Sequence, residues 1–266
     1  MAVVSEQGAA PAAGGTPGPG TKGPRARWAT HLVRPAIVVV ALVVLYLYVS
    51  SRQLDSIERR SLNAAYILSR TWQHVQLTAI VSVIILLVAV PLGVLLTRDG
   101  VSRFSGPVLT LANISQAIPS IGLIVLFAVA FLSLPVYAIA VLAFVIHGVL
   151  PIVRNTIAGI GQVDRSVIEA ARGMGMTKLG VLVSVELPLA VPVILAGVRT
   201  TLTITTGTVA LATFIGAGGL GDIISNGLAS NRNIVLVTGS VLVAALALLI
   251  DWLAAIAEDN LAPRGV

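Results

Sequence analysis

The sequence predicts an all-α integral membrane protein of about six transmembrane helices, and three observations lead there. Hydrophobic residues make up 56% of the 266-residue chain and charged residues 11%, and mean hydropathy is +0.98. A soluble domain carries roughly 45–50% apolar and 25% charged residues. Apolar stretches recur that are each long enough to cross a hydrocarbon core, which takes about 20 helical residues. Basic residues gather in alternate connections, which is how membrane proteins record orientation. The formal charge of +6 therefore reports orientation rather than nucleic-acid binding, because the cations are scattered through loops and only 5% of the chain is aromatic. With no cysteine present, disulfides, thiolate metal sites and cysteine nucleophiles are excluded.

Taken in order, residues 1–34 open with a Gly/Pro/Ala-rich stretch and end in the basic cluster Lys22, Arg25, Arg27 and Arg34. Such composition cannot bury a core, so a disordered tail is expected. The apolar run 35–49 resembles a secretory signal, but Ser50-Ser51-Arg52-Gln53 offers no A-x-A-like cleavage site, so it reads as a retained first helix. An outer loop completes the segment 35–71. Further spans are expected at 75–97, 108–132, 136–153, 191–214 and 234–257, inside a transmembrane domain 72–257 followed by a short tail 258–266. Placing the basic N-terminus in the cytoplasm puts Lys22, Arg25, Arg27, Arg34, Arg98, Arg103, Arg154, Arg165, Arg172, Lys178 and Arg264 inside, against Arg52, Arg59, Arg60, Arg70 and Arg232 outside. That asymmetry predicts both termini and the loop 154–188 on the cytoplasmic side of a plasma membrane.

Within that loop, Asp164 is a good N-cap, and Val167, Ile168, Ala171 and Met174 recur at helical spacing, predicting a short amphipathic helix stopped by Gly173 and Gly175. A second segment from Thr177 leads to Pro188, which ends the helix or starts the next element. A helix, a turn and a second helix suit a lever docking on another protein. They also suit an interfacial helix lying on headgroups, and amphipathicity alone does not choose.

The spacing goes further. Glu169-Ala170-Ala171, three residues, Gly175, nine residues, Val185, one residue and Leu187-Pro188 resembles the EAA loop of ABC-importer permeases, with Val185 in place of the usual Ile. The resemblance implies that Glu169, Ala170, Ala171, Gly173, Gly175, Leu187 and Pro188 form the ATPase-coupling element. Gln116-Ala117-Ile118-Pro119-Ser120, the run Leu150 to Thr156 and the run Thr213 to Gly221 are similar to the branch importing glycine betaine, carnitine or choline. Permeases for methionine and other small solutes share parts of this set. The family implies two ATPase subunits, a second permease copy or homologue, and an external substrate-binding protein, all around a chain embedded in membrane lipid. It also implies that ATP is bound by the partner, with neither cofactor nor metal held here and no catalytic residue.

Other features are weighed against plainer readings. Gly216, Gly218, Gly219 and Gly221 lie in a stretch that satisfies GxGxxG, but it follows a span and lacks an acidic residue about 20 positions on, so an external glycine turn is expected instead of a nucleotide site. No GxxxxGK[ST] occurs, so ATP hydrolysis is expected in another subunit and the chain is not read as an enzyme. Asn113-Ile114-Ser115 matches a glycosylation sequon inside a span, a chance match. Arg199 and Asp251 fall inside spans, where an ionisable group is costly unless paired, and a structural ion pair is expected. His147 suggests a proton relay, yet a lone His without an acidic neighbour fits packing better. Gln116, Pro119 and Ser120 interrupt the third span and are candidate pore-lining residues. The aromatic residues of the middle spans form no cluster, so solute selectivity is assigned to the binding protein. A secondary transporter working alone would need coupling-ion residues near the midplane, and a bare membrane anchor would not need helix breakers in its spans.

Overall fold

The computed structural model describes residues 24–261, and the expectations for residues 1–23 and 262–266 lie outside them. Helix α1 spans Pro24–Ser50, so the basic flank of Arg27 and Arg34 is helical and continuous with the first span instead of forming part of a loose tail. In the following connection, Asp55 caps α2 (Ser56–Ser61) by accepting from Ile57 and Glu58 N–H, while Glu58 reaches back to the Asp55 N–H at 2.9 Å. This reciprocal capping box gives the outer loop an element that its apolar pattern did not reveal.

Helix α3 runs over Ala64–Leu95, starting well before the expected Val75. With 32 residues at about 1.5 Å each it is longer than the roughly 30 Å hydrocarbon core. Helices α4 (Ser105–Ala117) and α5 (Ser120–Ala130) meet at a 96° bend. Its cause is local. Pro119 forces Ile118 out of the helical region, to ψ 127°, and the chain restarts as helix at Ser120. Helix α6 spans Val136–Gly161 and contains Pro151 and Arg154, so it ends later than expected. After α7 (Arg165–Gly173) come α8 (Lys178–Val181), a π turn (Leu182–Glu186) and α9 (Leu187–Val209), which are continuous. A 3-10 turn (Ala210–Ile215), α10 (Gly221–Ala229) and α11 (Asn233–Leu261) complete the described chain.

Five helical segments are long and apolar enough to cross a membrane, and the bent pair makes up to six. Ion pairs decide how the pair counts. Arg98, just past the end of α3, pairs with Glu186 just before α9, and between them the chain runs through α4–α5 and α6. Since α6 crosses once, the bent pair must also cross for Arg98 and Glu186 to meet. At the opposite end Arg70 pairs with Asp222 and Arg232 with Asp55.

Helix α6 is packed between α3, α9 and the bent pair. Leu77, Val81 and Ile85 of α3 and Ala140, Phe144 and Val153 of α6 are buried in the resulting core. Close approach depends on small residues, as is usual where lipid removes any hydrophobic drive between helices. A Cβ at Gly93 would fall 2.5 Å from Thr156 Cβ, and one at Gly159 3.1 Å from the Ala190 carbonyl.

Candidate functional site

Helix α7 is held by short-range chemistry. Asp164 accepts from the Ser166 N–H at 2.8 Å, and this bond holds its carboxyl below the usual carboxylate range. At the other end the Met176 N–H reaches the Ala171 carbonyl and the Gly175 N–H the Arg172 carbonyl. This is a Schellman closure with Gly175 at the left-handed position, φ +86°. Gly173 is the last helical residue, so Gly175 alone makes the stop. Thr177 then caps α8 through the Gly180 N–H at 3.1 Å.

Glu169, Ala170, Gly173 and Gly175 are exposed on this element, whereas Ala171 is 3% exposed and faces the body of the protein. Ala171 therefore anchors the helix from within and is not part of its outer contact face. Among the apolar positions of α7, Ile168 turns partly inward, while Val167 remains exposed, as do Met174 (78%) and Leu179 beyond it. Pro188 starts the next element, standing in the first turn of α9, and does not end a helix. Its missing N–H is absorbed by the π turn, in which the Leu187 N–H bonds to the Leu182 carbonyl, and α9 continues past it. Leu187 is half-buried and Pro188 exposed.

The glycine loop lies at the opposite end. Gly216 closes the 3-10 turn by the same pattern, the Ala217 N–H bonding to the Ala212 carbonyl and the Gly216 N–H to the Thr213 carbonyl. Gly218 and Gly219 also have positive φ, while a Cβ on Gly221 would overlap the Ala210 carbonyl. The N-terminal part of α3 grips this loop. Gln73 Oε1 accepts from Arg70 Nη1 at 2.9 Å and from the Gly219 N–H at 3.3 Å. Arg70 pairs with Asp222 at 2.8 Å, and Thr213 donates to Asp222 at 2.6 Å. Arg70, Gln73, Gln76, Tyr137 and residues 216–218 line a cavity of about 310 Å³.

Within the spans, Gln116 is half-buried and donates to the His147 carbonyl at 3.2 Å, tying the bend to α6, with Ser120 half-buried and Pro119 exposed beside it. Arg199 meets Asp251 through two bonds, Nε to Oδ1 at 2.7 Å and Nη2 to Oδ2 at 3.2 Å. Arg34 joins the same carboxylate at 3.1 Å, and Glu258 lies 3.4 Å from Arg199. Asn113 of the apparent sequon accepts from Arg154 at 2.7 Å.

Residues 89–264 match the model of the family described as binding-protein-dependent transport system inner membrane component. The chain belongs to this family. It is 39% identical over 208 residues to the choline transport system permease protein OpuBB of Bacillus subtilis, covering 77% of this chain and 92% of that one. It is 38% identical over 217 residues to the osmoprotectant import permease protein OsmW of Salmonella typhimurium, covering 80% and 100%. A solved structure of the MetNI methionine ABC transporter, in inward-facing conformations, aligns with TM-score 0.65 and 25% identity over 74% of this chain and 97% of that one.

As an inner membrane component of such a transport system, the chain is a multi-pass permease. Two of its organising residues were not singled out in the sequence: His74 is fully buried between α9 and the glycine loop, and Glu186 is 5% exposed against Arg98. Arg34, read as part of the basic N-terminal cluster, belongs to the Asp251 cluster. The available signal was a charged or imidazole side chain flanked by apolar residues, which has no reason to be there without a partner.

Proposed function

We propose that the chain is one half of the translocation pathway of an ATP-driven importer for an osmoprotectant such as glycine betaine, carnitine or choline. The observation that carries this reading is α7, an exposed helix closed by Gly175 and joined by the short turn 174–177 to the continuous run of α8, π turn and α9, which is a membrane span. A helix so connected converts displacement by a partner into movement of α9. It has no catalytic groups and needs none. The relatives named for choline and osmoprotectant transport support the cargo class.

In this reading two ATPase subunits bind the α7 helices of two permease chains, the second being another copy or a homologue, and an external binding protein delivers solute. ATP-driven closure draws the α7 helices together and opens the pathway outward; hydrolysis resets it. The N-terminus, the end of α11 and α7 face the cytoplasm, where the basic residues of the connections concentrate. Glu169, Ala170, Gly173 and Gly175 form the contact face, Ala171 supports it, and Leu187 and Pro188 carry the motion into α9. Gln116, Pro119 and Ser120 line the pathway at the bend, and the glycine loop forms its outer rim.

The test is purification from mild detergent of the wild-type chain and of Gly175→Asp, scoring ATPase recovery and binding-protein-stimulated hydrolysis. The variant puts a negative charge on the contact face at φ +86°, a backbone that Asp tolerates better than most residues but less well than glycine. Wild type should recover the ATPase and the variant should lose recovery or stimulation. Failure of wild type to recover any ATPase would point to a stand-alone transporter. Competition for uptake among choline, glycine betaine, carnitine and methionine then assigns the cargo, and methionine alone competing would remove the osmoprotectant reading.

A further inference from the structure

We infer that Glu186 and Arg98 form the strut by which movement of α7 reaches α3 and the bent pair α4–α5; this rests on the importer reading above. Helix α7 contacts α8 and the π turn, which continue into α9. Chain continuity thus explains how α9 feels α7. It offers no direct route at the cytoplasmic end to α3, which packs on α9 and meets it again through His74 where its far end grips the glycine loop, or to α4, which leads to the bend at Pro119.

The Arg98–Glu186 pair supplies that route. Arg98 is locked to the end of α3, since its Nε and Nη2 donate to Thr97 Oγ1 at 3.1 and 2.8 Å while Thr97 donates to the Val94 carbonyl at 2.7 Å. The same Nη2 donates to Glu186 Oε2 across a sequence separation of 88. Glu186 closes the π turn, where backbone bonds reach from i to i−5 and the helix has the most room to change its winding. A charge pair at that point fixes the angle between the lever and its neighbour. Such a pair adds little net stability over apolar side chains of the same volume, so its use lies in setting register. The neighbouring pair Lys178–Asp99, 3.7 Å apart and with side chains 81% and 94% exposed, contributes little by comparison. Arg98 and Glu186 act here as positioning residues.

The experiment uses the full complex in proteoliposomes, with ATPase recovery measured first and then solute imported per ATP hydrolysed. In Glu186→Gln the recovered complex should hydrolyse ATP while import per ATP falls about two- to thirty-fold, the range for substitutions along a coupling route. The charge swap Arg98→Glu/Glu186→Arg should regain a substantial part of it. A recovered Glu186→Gln complex with the wild-type ratio overturns the strut. If that variant does not assemble, the chain's lack of native cysteine permits Arg98→Cys/Glu186→Cys bridged by a cleavable thiol cross-linker. Import per ATP rising on cross-linking and falling on cleavage supports the strut; a bridged complex no better than the cleaved one overturns it. Loss of ATPase recovery by wild type would instead indict the importer reading.

Discussion

His74 of α3 and Thr206 of α9 are joined inside the protein, the ring Nε2 donating to the Thr206 carbonyl at 2.9 Å. Its Nδ1 accepts from the Leu220 N–H at 3.3 Å, which fixes the proton on Nε2 and leaves the imidazole neutral. One fully buried ring thereby fastens two spans and the glycine loop.

Replacing His74 by Phe keeps the volume and removes both bonds. A buried carbonyl and a buried N–H left without partners each cost about 1–3 kcal/mol. Thermal unfolding in detergent should fall well below wild type, and His74→Gln, which can still reach one partner, should lie between. A Phe variant as stable as wild type would show that packing, not the bonds, holds the loop.

Gly218 and Gln73 can be separated by a double-mutant cycle. A Cβ at Gly218 would sit 2.6 Å from Gln73 Oε1, and the residue has φ +84°. Gly218→Ala should therefore lose stability on both counts, about 1–2 kcal/mol of it from the backbone. Adding Gln73→Ala should return only the steric share. Full recovery in the double variant would mean that the left-handed backbone costs nothing here.

Asp251 is shared by Arg199 and Arg34, so Asp251→Asn removes the carboxylate common to both and leaves Arg199 only the longer pair with Glu258 at 3.4 Å. Because the three side chains keep 18–33% exposure, the loss should be about 2–3 kcal/mol, below the 3–5 kcal/mol of a fully buried pair. Reversing Arg199 and Asp251 together should restore part of the assembly lost in either single reversal, measured as folded protein in membranes. Absence of any rescue would mean that Arg34 and Glu258, which the reversal sets against like charges, hold the cluster as much as the pair does.

The Asp164 carboxyl, held low by the Ser166 N–H, ties the start of α7 to pH. The cap is present above the unfolded carboxylate pKa of about 3.9 and is lost as pH falls through the lower folded value. Amide exchange at Ser166 and Val167 should accelerate in that acid window, beyond the intrinsic pH trend. Asp164→Asn, which caps without titrating, should remove the excess; the same acceleration in the variant would place its cause elsewhere.

What could be read from the chain divides by range. Helical class, the spans and the α7 region were legible because apolar runs and caps act over a few residues, as Asp164 and Gly175 show. Boundaries were less so: α3 begins at Ala64 because Asn63 caps it through the Tyr66 N–H, a polar start invisible to a search for apolar residues. Of the two roles open to Pro188, ending a helix or starting the next element, the structure has the second, in the first turn of α9, while the π turn before it keeps the helical run continuous.

By itself, then, the sequence determined that this chain crosses a membrane repeatedly, and that one polar loop carries a spaced pattern of small residues ending in Leu187-Pro188. Hydropathy and local hydrogen bonding suffice for both. Only the tertiary structure decided that the expected third span bends by 96° at Pro119, that Ala171 turns inward, and that His74, Glu186 and Arg34 find their partners. Those outcomes depend on which helices lie side by side, and a pairing such as Arg98 with Glu186, 88 residues apart, leaves no periodicity in the sequence. A buried charge announces that a partner must exist, and only the packing of α3 against α9 says which one it is.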